Sequence, residues 1–298
     1  MSPKAKSLAR ILGFVLGLGL LASAIFVISR SAPTLDQLRG VISRIDAWLV
    51  VGAVVATLGT LVGATGMFYA LVRHFGRIGF FEMGRLIAAS SVLNYLPMQP
   101  GLVGRIVHQE VVNGIPMRKS VLSIVEAAVI CAVTIIWLAL AIVAIHWTTS
   151  RALGGVVAAL PVLCGFAYAM PNQVGWGRYF EAIFWRWIDL VSWTIRYAVV
   201  FAVIGVELSP ESAATAACIA GVANMVPFLG NGLGVREWAV GLAGPVLAIW
   251  PADTGLAAEL LNRVLDLAII VPLGLCAMPG IATRVRSAAA KRESRIER

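Results

Sequence analysis

The segment Asn224-Met-Val-Pro-Phe-Leu-Gly-Asn-Gly-Leu-Gly-Val-Arg-Glu237 combines a helix-breaking proline with three glycines and an Arg-Glu pair. It follows the apolar run Ala213–Met225, which is too short to cross a bilayer because a spanning helix needs about 20 residues. Non-helical backbone at membrane depth leaves amide and carbonyl groups without partners, so it persists only inside protein or beside a polar cavity. We therefore predict that the chain enters the membrane here as a broken helix.

The same pattern occurs earlier in the chain. Asn94-Tyr-Leu-Pro97 and Asn224-Met-Val-Pro227 both follow Asn-x-x-Pro and lie 130 positions apart (224 − 94). The apolar run before the first copy, Leu86–Leu96, is again too short to cross. Two further pairs keep the same separation: Gly101 with Asn231, and Gly104 with Gly234. The sequence thus predicts two re-entrant segments, at about 86–105 and 213–237.

The composition is typical of a membrane protein. Of the 298 residues, 59% are hydrophobic and 13% are charged, and the mean hydropathy is +0.88. Soluble domains are about half apolar and a quarter charged. We predict an all-α polytopic membrane protein, with residues 1–298 in a single transmembrane domain. Its six full transmembrane helices are expected at Ile11–Ile28, Trp48–Val72, Val121–Ile145, Val156–Met170, Ile188–Val206 and Leu256–Met278.

The first of these runs, Ile11–Ile28, follows three basic residues and so also has the pattern of a secretory signal peptide. Its apolar core is longer than a usual signal core, no clear small-x-small cleavage site stands out, and further spans follow. We expect it to be retained as the first membrane helix.

The distribution of basic residues predicts the orientation. With a cytoplasmic N-terminus, cytoplasmic segments hold 17 of the 24 Lys and Arg residues and the opposite side holds five. Cytoplasmic loops of membrane proteins collect Lys and Arg, so both termini are expected in the cytoplasm. The net charge of +9 then reflects topology and not nucleic-acid binding. The re-entrant segments enter from opposite sides, which predicts an inverted-topology repeat of residues about 1–150 and 151–280, followed by a basic cytoplasmic tail, 281–298.

Metal, cofactor and nucleotide chemistry have no support in the sequence. The cysteines lie far apart in apolar segments and the three histidines lack the spacing of metal ligands. The run Gly230-Asn-Gly-Leu-Gly234 lacks the Gly-Lys-Ser/Thr ending of a phosphate-binding loop. We predict no metal and no cofactor, and any driving force for transport is an ion gradient or the gradient of the cargo.

The two motifs resemble those of the flippase-like transmembrane domain of lysylphosphatidylglycerol synthases. The first match is Asn94-x-x-Pro97-x3-Gly101-x3-Arg105, and the second is Pro227-Phe-Leu-Gly-Asn-Gly-Leu-Gly-Val-Arg-Glu237. Glu126 stands where that family has a Glu in the helix after the first motif, and Arg263 where it often has an Arg in the final span. The resemblance covers about residues 10–280.

This chain departs from the family pattern at four positions. Leu102 stands where the family usually has Glu, Ala127 where an Arg usually follows the Glu, and Gly230 and Asn231 replace Pro-Gly. These departures weaken a charge-relay role for the first motif. Lysyl transfer belongs to a soluble domain that follows the membrane domain in the synthases. None follows the last predicted span in this sequence, so lysyl-lipid synthesis is not expected.

The resemblance implies a flippase that moves an amphiphile with a polar or anionic head group across the bacterial inner membrane. Its cargo would be an aminoacylated phospholipid, a hopanoid-type lipid or a lipid-linked saccharide, and proteins of envelope-lipid biosynthesis are possible partners. The head group is expected near the bilayer midplane, between the two broken segments, where helix N-termini and free amides favour anions.

The candidate substrate-binding residues come from the two motifs and from the charges inside the spans. The Arg side chains match phosphate geometry, the Glu side chains can bind a cation or proton, and the Asn side chains can cap broken helices or contact the ligand. The set is Asn94, Pro97, Gly101, Gly104, Arg105, Glu126, Asn224, Pro227, Asn231, Gly232, Gly234, Arg236, Glu237 and Arg263.

Structural roles compete with these assignments. Arg105 can be an edge residue that sets topology, and Arg263 can be an internal partner of Glu259 or Asp266, three or four positions away on one helix face. Glu126 and Glu237 can pair with a neighbouring Arg, and Asp189 is expected to pair with Arg186 or Arg196.

Two other functions remain open. A membrane-embedded lipid enzyme, such as a polyprenyl-phosphate glycosyltransferase or a lipid phosphatase, would need catalytic acids or histidines that the sequence does not offer in a recognisable pattern. An accessory scaffold of an envelope-lipid pathway would need no transport site. We predict a transporter and not an enzyme.

Overall fold

The computed structural model describes residues 3–30, 46–96, 100–148, 154–156, 158–161, 177–225 and 232–296. The regular secondary structure of this part of the chain is entirely helical. Its main helices are α1 (Pro3–Arg30), α2 (Ala47–Val72), α3 (Phe80–Leu93), α4 (Pro100–Val111), α5 (Met117–Thr148), α6 (Gly177–Val203), α7 (Pro210–Asn224), α8 (Val235–Leu247) and α9 (Ala252–Ile296).

Three of the described helices are long and apolar enough to cross a membrane: Ala47–Val72 in α2, Met117–Trp147 in α5 and Ala252–Ala288 in α9. Large apolar side chains on these helices are exposed, as expected of a surface in contact with lipid; they include Val55, Val129, Val133, Ile136, Leu140 and Leu275. The chain is therefore a helical membrane protein.

Three of the six predicted spans, Trp48–Val72, Val121–Ile145 and Leu256–Met278, lie inside these three helices. The first predicted span, Ile11–Ile28, lies within α1, whose part from Val15 to Arg30 is a shorter apolar helix. Most of Val156–Met170 lies outside the described residues. The number of crossings stays a prediction.

Most of the predicted span Ile188–Val206 belongs to a longer helix. α6 begins at Gly177 and continues unbroken to Val203. Arg186, which precedes the predicted span, forms a buried ion pair with Asp189 of the same helix.

The last helix is longer than the sequence predicts. α9 begins at Ala252, four residues before the predicted span, and continues through Pro272 and Pro279 to Ile296, inside the predicted basic tail. Elongating an existing helix avoids the cost of nucleation, and the Ala- and Arg-rich tail has high helix propensity.

Helix lengths repeat along the chain. The helices α2 to α5 have 26, 14, 12 and 32 residues, and α6 to α9 have 27, 15, 13 and 45. α2 and α6 begin 130 positions apart (177 − 47), as do α3 and α7 (210 − 80). Packing follows the same correspondence, because α2 packs on α6, α3 packs on α9 and α7 packs on α5. The spacing equals that of the two Asn-x-x-Pro motifs.

The first break lies between α3 and α4. The Oδ1 atom of Asn94 accepts a hydrogen bond from the Leu102 amide at 3.2 Å, and Ser90 Oγ donates to the Gly101 carbonyl at 3.0 Å. A Cβ atom at Gly101 would collide with the Ser90 carbonyl oxygen. The asparagine therefore satisfies an amide in the first turn of α4, as an N-cap residue does, and glycine permits the close approach.

The second break lies between α7 and α8. Gly232 and Gly234 have φ of 62° and 79°, in the left-handed region that favours glycine. A Cβ atom at Gly232 would lie 2.8 Å from Asn224 Oδ1. In both motifs the asparagine thus lies against the residue eight positions further along, Leu102 in one and Gly232 in the other. The motif residues Pro97, Pro227 and Asn231 lie outside the described residues.

Close helix contacts position the two halves against each other. Where α2 meets α6, Cβ atoms at Gly59, Gly63 and Gly66 would collide with Ser192, Asp189 and Trp185. Small residues allow membrane helices to approach closely. α1 docks on α8 through the Trp238 indole, whose Nε1 donates to the Leu20 carbonyl (3.1 Å) and Ser23 Oγ (3.0 Å).

Candidate functional site

A network of buried charges connects α6, α8 and α9. Arg236 forms an ion pair with Glu259, the Nε atom of Arg263 donates to Glu237, and Arg196 donates to Asp266. The side chains of Glu237 and Glu259 are both 0% exposed. Charges so far from water are costly and persist when they are paired, and this network holds three arginines and three carboxylates.

Further contacts connect two of these pairs, Arg236–Glu259 and Arg196–Asp266, and the Glu237–Arg263 pair lies next to them because Glu237 follows Arg236 in the chain. The Tyr197 hydroxyl donates to Glu259, and Asn262 Nδ2 donates to both oxygens of that carboxylate at 3.4 and 3.3 Å. Asp266 is shared between two arginines, because its Oδ2 atom also lies 3.6 Å from Arg236 Nη2. The network is therefore continuous from Tyr197 to Asp266.

Arg263 does not pair as the sequence suggested. The structural alternative was an ion pair with Glu259 or Asp266 on the same helix face, but its partner is Glu237 of α8. Because α8 packs on α9, Glu237 faces Arg263 across the interface, and Glu259 pairs with Arg236. Asp189 pairs with Arg186, one of its two predicted partners.

A cavity of about 210 Å³ borders this network. Its wall is formed by Thr60, Leu61, Ala64, Ile87, Ser91, Tyr95, Asp189, Trp193, Asn224, Arg236, Asp266 and Ile270. Residues adjoining the first Asn-x-x-Pro motif and residues of the second thus face one space. Two guanidinium groups lie near the Trp193 ring, that of Arg196 4.9 Å and that of Arg236 5.4 Å from its centroid. These cation–π contacts stabilise both cations near the cavity.

Several polar atoms at this site have no hydrogen-bond partner among the described residues. They are Asn224 Oδ1, Arg236 Nη2, Glu237 Oε2, and Nη1 and Nη2 of Arg263, all buried. A buried polar group left unbonded costs about 1–3 kcal/mol. Such groups in a native site indicate a bound ligand, ion or water. Two of these four residues, Asn224 and Arg236, line the cavity itself.

Residues of the second motif lie together at the cavity and in the charge network, whereas most described residues of the first motif lie beside the cavity. Asn224 and Arg236 line the cavity, while Glu237 and Arg263 lie behind them in the charge network. Gly232 and Gly234 form the turn that leads into α8. From the first motif, the neighbours Ser91 and Tyr95 reach the cavity, whereas Asn94 and Gly101 hold the start of α4.

Arg105 lies apart from the network. Its guanidinium is buried over the Phe68 ring, 3.9 Å from the centroid. At the preceding residue, Gly104, an added Cβ atom would meet no other atom within 4 Å. Arg105 is thus held by a cation–π contact.

Glu126 also belongs to a separate cluster. Its Oε1 atom accepts from Arg178 and from the Tyr179 hydroxyl, each at 2.8 Å. Arg73, at the end of α2, pairs with Glu181 at 2.5 Å. These contacts connect α5 and α2 to the start of α6 and contribute nothing to the cavity wall.

A polar cluster around Glu82 joins α3, α4 and the part of α9 near Arg284. Glu82 Oε1 lies 3.1 Å from His108 Nε2, accepts from Asn113 Nδ2 at 3.3 Å, and lies 3.4 Å from Arg284 Nη1. Burial acts to raise the pKa of Glu82. Hydrogen bonds with His108 and Asn113 and the charge of Arg284 outweigh burial and hold that pKa below its usual value.

Sequence reasoning missed Arg196, Trp193 and Asp266 as parts of the site. One signal was available, because Glu259, Asn262, Arg263 and Asp266 follow i, i+3, i+4, i+7 spacing in an otherwise apolar helix. Polar residues at that spacing share one face, and in a membrane such a face is buried in protein.

Within the described residues, no group of three or more His, Cys, Asp or Glu side chains is placed to hold a metal ion. Comparison of the chain with protein-family models, with curated proteins and with solved structures gave no match. The site's geometry is therefore the basis on which its function is inferred.

Proposed function

We propose that this membrane protein moves an amphiphile with a polar or anionic head group from one leaflet to the other, with the head group in the cavity beside Arg236. The observation that carries this proposal is the common cavity of the two broken segments, bordered by a buried arginine whose Nη2 atom has no hydrogen-bond partner among the described residues.

The chemistry of the wall supports a head-group site. Arg236 offers a guanidinium for a phosphate or carboxylate, Asn224 offers an amide, and Tyr95 and Trp193 offer aromatic faces. The carboxylates of Asp189 and Asp266 lie on the same wall, each already paired with an arginine. A head group that carries hydroxyls or a positive charge in addition to its anionic group would find partners here.

The transport proposal includes the topology expected from the sequence. Six crossings and two re-entrant segments would form an inverted repeat in the bacterial inner membrane, with both termini in the cytoplasm. The repeated helix lengths and the corresponding packing of α3 on α9 and α7 on α5 support this arrangement. The resemblance to the flippase-like domain of lysylphosphatidylglycerol synthases supports a lipid cargo.

The test is lipid movement by the purified protein in liposomes. Fluorescently tagged phosphatidylglycerol is placed in both leaflets, and dithionite then bleaches the label on the outside. In a sealed, protein-free liposome dithionite bleaches only the outer leaflet, about half of the fluorescence. With an active protein, the bleached fraction should exceed one half. Arg236→Ala should return bleaching to that half, because the anion contact of the cavity is lost.

Arg286→Ala is the matched control, since Arg286 is an exposed arginine on α9 outside the network, and it should transport like the parent. Full activity of the Arg236→Ala variant would contradict the site assignment. Inactivity of the parent toward all tagged lipids, together with turnover of a lipid phosphate or lipid-linked sugar, would favour the membrane enzyme.

A further inference from the structure

The three carboxylates of the buried network differ in their access to the cavity. Glu237 and Glu259 are 0% exposed, whereas Asp266 is 15% exposed and lines the cavity wall. Only one of the oxygens of Asp266 is hydrogen-bonded to an arginine. Arg196 donates to its Oδ1 atom, but Oδ2 faces Arg236 Nη2 at 3.6 Å, which is beyond hydrogen-bond length.

The network is electrically neutral before any head group binds. Arg196, Arg236 and Arg263 balance the three carboxylates when all six groups are ionised. An anionic head group on Arg236 would add one negative charge in surroundings that screen charge poorly, which is unfavourable. One proton on a carboxylate restores neutrality, and Asp266 is the network carboxylate that the cavity reaches.

We infer that Asp266 is a proton-binding residue, which takes up one proton when an anionic head group engages Arg236 and releases it when the head group leaves. This inference rests on the proposed transport function and adds the coupling ion. The proton comes from water and forms an O–H bond at Oδ2, while Arg196 stays hydrogen-bonded to Oδ1. No bond of the lipid breaks, so proton and lipid would cross together.

The groups around Asp266 favour this residue over the other acids. From α6 it faces Arg196 and Asp189, and from α8 it faces Arg236. On α9, Glu259 and Arg263 lie one or two turns away. The other residues of the wall, among them Thr60, Ser91, Tyr95 and Asn224, are uncharged. Asp189 is the other carboxylate on this wall. It pairs with Arg186 of its own helix, outside the network. An anion at Arg236 therefore leaves the net charge of the Asp189–Arg186 pair unchanged.

The experiment measures proton uptake when a defined lipid binds the full chain in detergent. The probe is dihexanoylphosphatidylglycerol, a soluble phosphodiester with no titratable amine, so protons taken up belong to the protein. A pH-indicator dye in weakly buffered solution reports the uptake. We expect about one proton per bound probe, and a Kd that falls about tenfold per unit decrease in pH while Asp266 is ionised in the free protein.

Variants identify the group that takes up the proton. Asp266→Asn should bind the probe with no proton uptake and with an affinity independent of pH, because the network has already lost one negative charge. Asp266→Glu keeps the carboxylate and should keep the uptake. Glu207→Gln removes an exposed acid between α6 and α7 and should behave like the parent. If the Asn variant fails to fold, the parent's proton stoichiometry and the Glu variant still decide.

Two results would overturn the inference and leave the transport site intact. One is binding that requires Arg236 but takes up no proton, including binding that depends on sodium instead. The other is undiminished uptake in a folded Asp266→Asn variant. If the parent does not bind the probe, or if Arg236→Ala binds it equally well, the proposed function itself is contradicted.

Discussion

The Nη2 atom of Arg236 lies 3.6 Å from Oδ2 of Asp266, within ion-pair range but too far for a hydrogen bond. Both side chains line the cavity between the two broken segments. An arginine held directly by Glu259 and only loosely by Asp266 keeps a donor for an anion that enters. The following predictions test this site and the backbone geometry that supports it.

The Glu237–Arg263 pair should stabilise the fold only as a pair. Arg263→Leu leaves the Glu237 carboxylate buried without a partner, so we expect a loss of about 3–5 kcal/mol in the free energy of unfolding. Glu237→Leu combined with Arg263→Leu should recover most of that loss, because no buried charge is left unpaired. Thermal unfolding in detergent measures both. Strictly additive losses in the double variant would show that the pair is not coupled.

Gly101 and Gly104 should respond differently to alanine. At Gly101 a Cβ atom would collide with the Ser90 carbonyl oxygen, so Gly101→Ala should destabilise the protein by about 1–3 kcal/mol. At Gly104 the added methyl meets open space, so Gly104→Ala should be neutral or slightly stabilising, because alanine favours a helix. Unfolding temperatures compare the two. Equal effects on the unfolding temperature would mean that α3 and α4 do not approach closely at Gly101.

Gly234 and Gly205 separate backbone strain from a clash between helices. Both have positive φ, 79° and 88°, so alanine at either should cost about 1–2 kcal/mol. Only at Gly234 would the Cβ atom also meet Gly17 and Leu20 of α1, whereas at Gly205 it meets nothing within 4 Å. Gly234→Ala should therefore destabilise more and should also change the fluorescence of Trp238, which is hydrogen-bonded to α1. The same change in Gly205→Ala would contradict this docking of α1.

The two motif asparagines should have different roles. Asn94 caps α4 by accepting from the Leu102 amide, so Asn94→Ala should cost about 1 kcal/mol of stability. Asn224 Oδ1 makes no hydrogen bond within the described residues and its side chain lines the cavity. Asn224→Ala should therefore reduce lipid transport with less loss of stability. Liposome transport and thermal unfolding are measured for both variants. If Asn94→Ala mainly reduced transport and Asn224→Ala mainly reduced stability, the two assignments would be contradicted.

The Glu82 cluster should make stability depend on pH in the acidic range. The pKa of Glu82 is lower in the folded protein than the usual value of about 4.3. The carboxylate therefore contributes stability above that usual value, and the contribution is lost as the pH falls through the folded pKa. Glu82→Gln should show a smaller decrease in Tm between pH 6 and pH 3.5 than the parent. Parallel profiles would show that Glu82 is not linked to folding.

Local chemistry allowed much of the fold to be predicted. The apolar runs indicated α2, α5 and α9, and the two Asn-x-x-Pro motifs marked the breaks after α3 and α7, because proline and glycine that stand close together disfavour a continuous helix. Boundaries were less predictable. α6 and α9 extend beyond their apolar runs because tertiary contacts bury the polar residues of α6, and because a helix already begun elongates easily.

The candidate site was predictable only in part. Arg236, Glu237 and Arg263 were selected from the resemblance and from their charge inside apolar segments, and they do lie in one network. Arg105 and Glu126 were selected in the same way, yet each lies in a separate environment. Spacing along one helix suggests partners three or four residues away, whereas these pairs form between two helices, α8 and α9.

The sequence by itself determined that this is a helical membrane protein with two broken segments 130 residues apart, because hydropathy and helix-breaking residues act locally. The tertiary structure alone decided that Glu237 pairs with Arg263, that Arg236 pairs with Glu259, and that Asp266 borders the cavity. Those contacts depend on how α6, α8 and α9 pack. Inside a membrane, each buried charge is stabilised by whichever opposite charge the packing brings within reach.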